Sequence, residues 1–378
     1  MKGFDLRAVL GRHYEPHRTA SRNAAFALGA AELAWRHAGL DGPVAADPEM
    51  VGVYLGGGEG PIDFDNFAAA AIAGWDPQRR ELDALRWAEV AYQRLDAVRE
   101  FEQDPNCAAH HIACRFGVQG PNLNTLTACA ASTQAIGEAT AIIRRGDADV
   151  MIAGGAHSMI HPLGVTGFNR LTALSTRNDS PQTASRPFDA TRDGFVLGEG
   201  AGILILESLD NARRREARIL AEVVGYGSTA DAFRVTDMHE EGRGPMAAMQ
   251  AALQDAGLRP EDIDYISAHG TGTEENDKIE SLAIMRVFGE QARKVPISSV
   301  KSMLGHLIAG AGAVELITCV LAIRDGIVPP TINYTTPDPN CPLDYVPNRA
   351  RRVKVRTCLS NSFGFGGQND TLIVRAFE

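Results

Sequence analysis

Long hydrophobic runs are absent from this chain of 378 residues. No stretch of about 18 uncharged apolar residues occurs, which is roughly the length needed to cross a bilayer. Residues 1–18 carry charges throughout, so the N-terminus offers no apolar core for a signal peptide. We therefore expect a cytoplasmic protein with no membrane partner.

Basic runs are absent as well, and the formal net charge is -10. A negative charge of this size repels nucleic acid and anionic lipid at long range. No segment interleaves Lys and Arg with aromatic residues, so we expect no nucleic-acid partner. An acidic protein partner would have to bind a local basic patch.

Cysteine is too sparse for a disulfide framework, because 6 residues are spread over the whole chain. We expect all of them to be free thiols. They are Cys107, Cys114, Cys129, Cys319, Cys341 and Cys358.

An internal repeat is the clearest structural signal in the sequence. The series Ala30, Ala34, Ala38, Gly39, Leu40 recurs in the same order as Ala248, Ala252, Ala256, Gly257, Leu258. Each copy predicts an alanine-rich helix that ends at glycine, followed by a short apolar strand (51–55 and 263–267). We therefore predict two similar α/β halves, 1–216 and 217–378, in a layered α/β/α/β/α sandwich.

The two predicted halves differ at their starts. A strand at 219–225 precedes the second alanine-rich helix, whereas the first copy has no room for an equivalent strand. We expect the first strand of the N-terminal half to be missing. Two explanations are open: a rearranged packing of that half, or a numbered sequence that begins downstream of the true start.

Cys129 is the first candidate for chemistry. It lies among small residues in TACAAS, directly before a helix-forming segment that continues to Arg145. The positive end of a helix favours a thiolate over a thiol, and small neighbours allow a carbonyl group to approach. The alternative is a buried structural cysteine, which is the commoner role of an isolated thiol.

His269 and His306 are the second and third candidates. Each follows an apolar strand and precedes a glycine-rich turn, where side chains commonly reach a cleft. A lone histidine at such a place is more often structural. The joint occurrence of both with Cys129 instead indicates a nucleophile with supporting hydrogen-bonding groups.

Four segments together resemble one enzyme family: TACAAS, AHGTGT, KSMLGH and NSFGFGGQN. They are similar to the β-ketoacyl-acyl carrier protein synthases of fatty-acid and polyketide synthesis, closest to the elongating synthase II type, over essentially the whole chain. The resemblance implies a thiolase-like fold and a homodimer, or a heterodimer with a related subunit. It also implies condensation of a cysteine-bound acyl group with malonyl carrier protein, without a metal or redox cofactor.

The resemblance assigns the central roles. Cys129 would carry the acyl group, and His269 and His306 would stabilise the enolate. Lys301 would support the electrostatics of the site. The backbone N–H groups of Cys129 and Phe365 would form the oxyanion hole, and Phe365 would also act as a gate.

The resemblance further assigns supporting roles to residues around this centre. Glu315 would pair with Lys301, Thr271 and Thr273 would bind the pantetheine arm, Phe168 and Phe195 would line the acyl tunnel, and Arg18 and Arg22 would bind acidic carrier protein. Asp277 and Glu280 follow His269 at helical spacing, and we interpret them as supporting carboxylates rather than a general acid/base pair. Ordinary core packing for the aromatic residues and a solvated helix face for the arginines are the competing interpretations.

Glu59 departs from the family pattern, because the related enzymes have an apolar residue near the end of the acyl tunnel. A carboxylate beside a long alkyl chain is costly. We therefore expect a short, polar or unsaturated acyl substrate.

The segment CAAHHIAC places Cys107, His110, His111 and Cys114 on one helical face. Four zinc ligands on a single helix are geometrically awkward, so we favour an interior stripe and expect no metal.

A non-catalytic partner subunit of the chain-length-factor kind is the main alternative to an enzyme. Such subunits typically lose the nucleophile, whereas this chain retains Cys129, both histidines and Lys301. Retention of the full set favours a synthase, and the missing first strand is the feature that keeps the alternative open.

Overall fold

The computed structural model describes residues 1–40, 47–60 and 62–378. The helices are Leu6–Leu10 (α1), Arg22–His37 (α2), Phe64–Gly74 (α3), Ala84–Arg94 (α4), Ala97–Phe101 (α5), Cys107–Phe116 (α6), Ala131–Arg145 (α7), Pro162–Arg170 (α8), Leu209–Arg214 (α9), Arg243–Ala256 (α10), Glu274–Phe288 (α11), Lys301–Leu304 (α12) and Ala311–Asp325 (α13).

The strands are Val51–Gly56 (β1), Trp75–Asp76 (β2), Glu81–Leu82 (β3), Asn122–Thr125 (β4), Val150–His157 (β5), Gly200–Glu207 (β6), Glu222–Ala230 (β7), Tyr265–Ser267 (β8), Ile297–Ser298 (β9), Ile327–Val328 (β10), Arg351–Arg352 (β11), Thr357–Gly364 (β12) and Gln368–Arg375 (β13). No helix in the described part of the chain is long and apolar enough to cross a membrane.

Two sheets with matching order form the centre of the molecule. The first has the order β4-β1-β5-β6 and the second the order β7-β13-β12-β8-β9. In both, three neighbouring strands are parallel (β4, β1, β5 and β9, β8, β12), and the next strand, β6 or β13, is antiparallel. The predicted duplication is therefore confirmed.

The second sheet has one strand more than the first. Strand β7 pairs antiparallel with β13, and no strand of the described residues pairs with β6 at the equivalent edge. The predicted difference between the halves is thus present in the structure. The division between residues 216 and 217 stays a prediction.

Helices α7 and α13 form the layer between the two sheets. Their apolar side chains, including Ile136 and Leu316, share one buried cluster with Met151 of β5 and Tyr265 of β8. Helices α2 and α6 cover the outer face of the first sheet, and α10 and α11 cover the outer face of the second. The result is the predicted α/β/α/β/α sandwich.

Small residues allow the central helices to lie close to the sheets. A Cβ atom at Gly137 of α7 would overlap the ring of Tyr226 on β7. At Gly312 of α13 a Cβ atom would overlap the hydroxyl group of Thr133. Real Cβ atoms do not approach their neighbours so closely, so the packing of the halves requires glycine at these positions.

Gly137→Ala is expected to lower the free energy of unfolding by roughly 1–3 kcal/mol, because overlap with Tyr226 outweighs the gain in helix propensity. Gly167→Ala in α8 is the matched control, since no atom lies within 4 Å of the place that its new Cβ atom would take. That substitution should be neutral or stabilising by up to about 1 kcal/mol. Urea unfolding of both variants tests this, and equal stabilities would contradict the close packing.

Candidate active site

Cys129 lies at the start of α7, as predicted. Residues Ala128–Ala130 form a short 3-10 turn that leads directly into the helix, and Ala128 has a positive φ of 48°. The Cys129 side chain is buried and its Sγ atom lies 3.0 Å from Nε2 of His306. The turn therefore presents the thiol to the end of the second sheet.

His306 is fixed by its backbone and by its ring. Its N–H donates to the carbonyl of Val196, and its carbonyl accepts from Gly198 N–H. The N–H of Ile308 donates to His306 Nδ1 at 3.3 Å. Because Nδ1 accepts this hydrogen bond, the ring proton of the neutral imidazole is on Nε2, the atom that faces Cys129.

Lys301 fixes His269 in the same way. Its ammonium group donates to His269 Nδ1 at 3.3 Å, to the His269 carbonyl at 2.6 Å and to Oε1 of Glu315. These three acceptors use all three ammonium protons. Nδ1 of His269 must therefore accept, so its ring proton is also on Nε2.

Both histidines are neutral in this environment. Burial lowers the pKa of His269 and of His306 well below the usual value, and the positive charge of Lys301 lowers both further. The two rings meet edge to face, with centroids 5.3 Å apart. The site thus offers two neutral N–H donors beside a thiol, which suits stabilisation of an oxyanion or enolate.

Burial opposes the effect by which the helix start is expected to favour a thiolate at Cys129. Burial raises the pKa of the thiol to about 12, although the charge of Lys301 and the backbone N–H of Phe365 act in the opposite direction. Burial of the sulfur penalises the anion more than these groups favour it. The thiol is the resting form, and the nearby donors stabilise negative charge when it develops.

Phe365 follows β12 in the turn that leads to β13. Its N–H approaches the Cys129 sulfur, and its side chain lines the cavity above it. A Cβ atom at Gly364 would lie 2.9 Å from the Thr127 carbonyl and 3.2 Å from Cys129 N. Glycine at 364 therefore lets the two backbone N–H groups predicted for the oxyanion hole approach each other.

A cavity of about 380 Å³ connects this centre to the surface. Cys129, His269, His306 and Phe365 line its inner end. Thr271 and Thr273 line the same cavity, with their hydroxyl oxygens 2.9 Å apart. Their position agrees with the predicted contact to a pantetheine arm.

Asp277 and Glu280 support the loop that carries His269. Glu280 accepts the backbone N–H groups of His269 and Gly270, each at 2.8 Å, and burial raises its pKa to about 7. Asp277 accepts the N–H groups of Gly272 and Phe188. Neither carboxylate lines the cavity, so the structure places both in a supporting position.

Phe168 and Phe195 pack beside Cys129 in an apolar cluster that also contains Ile308. Their rings meet edge to face, and the Phe195 ring also contacts His306. Phe195 lines the cavity, whereas Phe168 supports it from behind.

Glu59 does not line the cavity that reaches Cys129, although its charge contributes to the raised pKa of that thiol. Its carboxylate is 3.4 Å from Nε2 of the fully buried His157, and its side chain remains 70% exposed in the single chain. The nearby histidine lowers the pKa of Glu59. The predicted influence of Glu59 on acyl-chain length stays a prediction.

Arg18 and Arg22 lie at the surface but away from the cavity lining. Arg18 pairs with Glu15 at 2.8 Å. Arg22 pairs with Glu199 and lies over the ring of Phe26. Their predicted contact with carrier protein would have to compete with these ion pairs, and it stays a prediction.

The segment CAAHHIAC forms α6, and its four candidate ligands do not converge. His111 is buried against His17 Nδ1 at 2.9 Å and Glu102 at 3.0 Å. Cys107 donates to the Phe101 carbonyl, whereas Cys114 is exposed. The predicted interior stripe is therefore wrong for His110 and Cys114, which are exposed, whereas Cys107 and His111 are buried.

Sequence reasoning missed one side of the cavity. The loop that follows β7 contributes Asp231, Thr236, Asp237 and Met238, and the segment 192–194 lies opposite. The carboxylate of Asp231 is buried, and burial raises its pKa. No short pattern in the sequence marks this loop, because its place in the site depends on the pairing of β7 with β13.

Comparison with known proteins agrees with this geometry. The N-terminal domain of β-ketoacyl synthases matches residues 10–212, and the C-terminal domain matches residues 220–335. A 3-oxoacyl-[acyl-carrier-protein] synthase 2 of Coxiella burnetii is 43% identical over 93% of this chain and 82% of its own length. A synthase 2 of Staphylococcus aureus is 50% identical over 72% of this chain and 66% of its own length.

A solved ketosynthase of a type II polyketide synthase, in complex with its acyl-carrier protein, is also similar. It is 37% identical, with a TM-score of 0.86 over 95% of this chain and 86% of its own. The fold and the Cys-His-His centre therefore define a thiolase-like condensing enzyme.

More narrowly, the chain belongs to the β-ketoacyl synthase family. It is an acyltransferase of the 3-oxoacyl-[acyl-carrier-protein] synthase type, and the comparisons do not favour a non-catalytic subunit. The resemblance inferred from the sequence is confirmed.

Lys301→Met is expected to reduce the free energy of unfolding by about 3 kcal/mol, because it leaves the buried Glu315 carboxylate without its partner. The double variant Lys301→Met/Glu315→Leu should recover most of that loss. Both variants should lose condensation activity, since His269 loses the ammonium group that fixes its ring. Urea unfolding and a condensation assay measure the two effects.

The deficit of the single variant should grow with pH. Burial raises the pKa of Glu315, and removal of Lys301 takes away the charge that lowers it. A carboxyl group with a raised pKa binds its proton more tightly in the folded state, so stability falls as pH rises above the unfolded pKa. A deficit that is the same at pH 5 and pH 8 would contradict this account.

Proposed function

We propose that Cys129 carries the acyl intermediate and that His269 and His306 together stabilise the malonyl enolate. The observation that carries this proposal is that one ring nitrogen of each histidine and the Cys129 sulfur lie within 4.8 Å of one another. His306 Nε2 is 3.0 Å from the sulfur, and each histidine accepts a hydrogen bond at Nδ1, which puts its ring proton on Nε2. Two donors fixed before the reaction need no reorganisation when negative charge develops.

The first half-reaction is transfer of the acyl group. The Cys129 sulfur attacks the thioester carbonyl of the acyl donor, and the backbone N–H groups of Cys129 and Phe365 bind the oxyanion. The bond between the carbonyl carbon and the pantetheine sulfur breaks, and the proton lost by the Cys129 thiol ends on that sulfur, so pantetheine leaves as a thiol. The acyl group is then a thioester of Cys129.

The second half-reaction is decarboxylative condensation. The malonyl thioester carbonyl accepts hydrogen bonds from Nε2 of His269 and His306 while the bond to the carboxylate breaks and carbon dioxide leaves. The enolate carbon attacks the acyl carbonyl, and the Cys129 sulfur is released as thiol after proton uptake. The product is a 3-oxoacyl thioester two carbons longer. This sequence of steps balances without a metal or redox cofactor, so we propose none.

Acyl carrier protein is the proposed partner that delivers both thioesters. The related polyketide ketosynthase was solved in complex with such a carrier, and the hydroxyl groups that line the present cavity suit a pantetheine arm. We place this activity in the cytoplasm. Arg18 and Arg22 remain the proposed contacts with the acidic carrier. For Glu59 we retain the proposal of a short, polar or unsaturated acyl group.

Intact mass of the purified protein, after incubation with acyl carrier proteins of several chain lengths, tests the proposed nucleophile. The mass should rise by one acyl group, and malonyl carrier protein should discharge it as 3-oxoacyl product. Cys129→Ala should show no adduct. Cys341→Ala is a control, because it removes another buried thiol outside the cavity. A folded wild-type protein that stays unacylated would instead favour a non-catalytic subunit.

A second copy of the chain is the proposed structural partner. Strand β4 is the edge of the first sheet and pairs only with β1 among the described residues. Large exposed apolar side chains concentrate in the sequence just before and around this edge. They are Phe67, Ile72, Trp75, Leu82, Leu85, Tyr92, Val98, Phe101, Leu123 and Leu126. Antiparallel pairing of β4 with its copy would cover the edge in a symmetric dimer.

The double variant Leu123→Asp/Leu126→Asp should convert this dimer to monomer, because the new carboxylates would be buried and unpaired at the interface. Size-exclusion chromatography with light scattering measures the mass. Leu33→Asp, an equally exposed leucine on α2, is the control and should stay dimeric. A monomeric wild type would contradict the proposed homodimer and would favour a heterodimer with a related but different subunit.

A further inference from the structure

The outer end of the active-site cavity carries an excess of negative charge. Five acidic residues line the cavity in the described part of the chain: Asp193, Asp231, Asp237, Glu274 and Glu275. Arg192 is the one basic residue that lines it in the described part of the chain. Its guanidinium group is buried, and its N–H groups donate to Asp338 and to backbone carbonyls, including those of Thr273 and Glu274.

Glu274 and Glu275 are the carboxylates in this group whose charge is free to act on a ligand. Asp231 is buried, and burial raises its pKa. Asp193 accepts hydrogen bonds from Ser175 and Thr176, and Asp237 lies 3.3 Å from the guanidinium of Arg234. Both glutamates are exposed, and neither has an ion-pair partner within residues 1–40, 47–60 and 62–378.

The position of these glutamates changes the class of ligand that the start of α11 attracts. A helix N-terminus that faces a cavity normally attracts phosphate groups, because its free N–H groups and dipole are positive. Here Thr273 caps the helix by accepting Asn276 N–H, and two carboxylates follow directly in the first turn. These two full charges outweigh the partial positive charge of the helix end.

Acidic residues in a first turn also stabilise a helix, so a purely structural role must be considered. Asp277 already occupies that turn and binds backbone N–H groups. Glu274 and Glu275 make no such contact and line the cavity instead. Their negative charges therefore act on ligands that enter the cavity.

We propose that Glu274 and Glu275 are specificity-determining residues that repel thioesters bearing several phosphate charges, so that Cys129 reacts with carrier-bound rather than coenzyme A-bound acyl groups. This inference rests on the proposed function of Cys129. A phosphopantetheine arm on a carrier protein has one phosphodiester charge, whereas coenzyme A has roughly four negative charges at neutral pH. The repulsion grows with the number of charges and weakens with salt.

Three acyl donors with the same short acyl group and the same arm isolate the charge effect: the thioesters of pantetheine, 4′-phosphopantetheine and coenzyme A. The rate of Cys129 acylation, followed by intact mass, is compared between the wild type and Glu274→Gln/Glu275→Gln. At low ionic strength the double variant should react roughly tenfold faster with the coenzyme A thioester and less than that with the phosphopantetheine thioester. The rate with the neutral pantetheine thioester should stay within about twofold, and high salt should shrink all differences.

The double variant Glu261→Gln/Glu290→Gln is the matched control, because it changes the net charge equally at exposed sites outside the cavity. It should leave the order of the three donors unaltered. Equal acceleration by both double variants, or equal acceleration with the neutral donor, would overturn the inference. Failure of the proposed function would look different, since carrier-bound acyl groups would then not acylate Cys129 even in the wild type.

Discussion

The ammonium group of Lys301 is the interaction on which the active site depends. It is buried, and its three protons bind the ring and the carbonyl of His269 and the carboxylate of Glu315. One group therefore fixes the tautomer of His269, holds the loop after β8 and joins it to α13. Its positive charge also lowers the pKa of both histidines and opposes the effect of burial on Cys129.

The fold makes this arrangement available because the site lies where the two halves meet. His269, Lys301 and Phe365 each follow one of three neighbouring parallel strands of the second sheet, β8, β9 and β12. Cys129 follows β4 of the first sheet and lies in the turn directly before α7, which packs between the sheets. Carboxyl ends of parallel strands lie at one edge, so the duplicated topology brings both sets of residues together.

The position of the site at the carboxyl ends of the strands also determines which part of the cavity is exposed to solvent. The inner end is apolar around Phe195 and Ile308, where burial raises the pKa of the thiol and keeps the histidines neutral. The outer end is polar and acidic around the start of α11. Low dielectric strengthens hydrogen bonds to developing charge at the inner end, while exposed charges at the outer end act on the ligand before it reaches the thiol.

The sequence alone determined the duplicated α/β architecture, the family and the identity of the residues around the thiol. Helix and strand periodicity are local, and the segments around Cys129, His269, His306 and Phe365 are contiguous, so both are readable in one dimension. Placement of Thr271 and Thr273 in the cavity and of Glu315 beside Lys301 also agrees with the sequence-based assignment. Only the tertiary structure decided the protonation of the centre. Burial opposes the effect of the helix start on the Cys129 thiol, and the hydrogen-bond partners of each Nδ1 atom come from the folded backbone and from distant segments. The tertiary structure also decided that the loop after β7 and the carboxylates of α11 line the cavity, since strand pairing and helix placement depend on contacts that no single segment encodes.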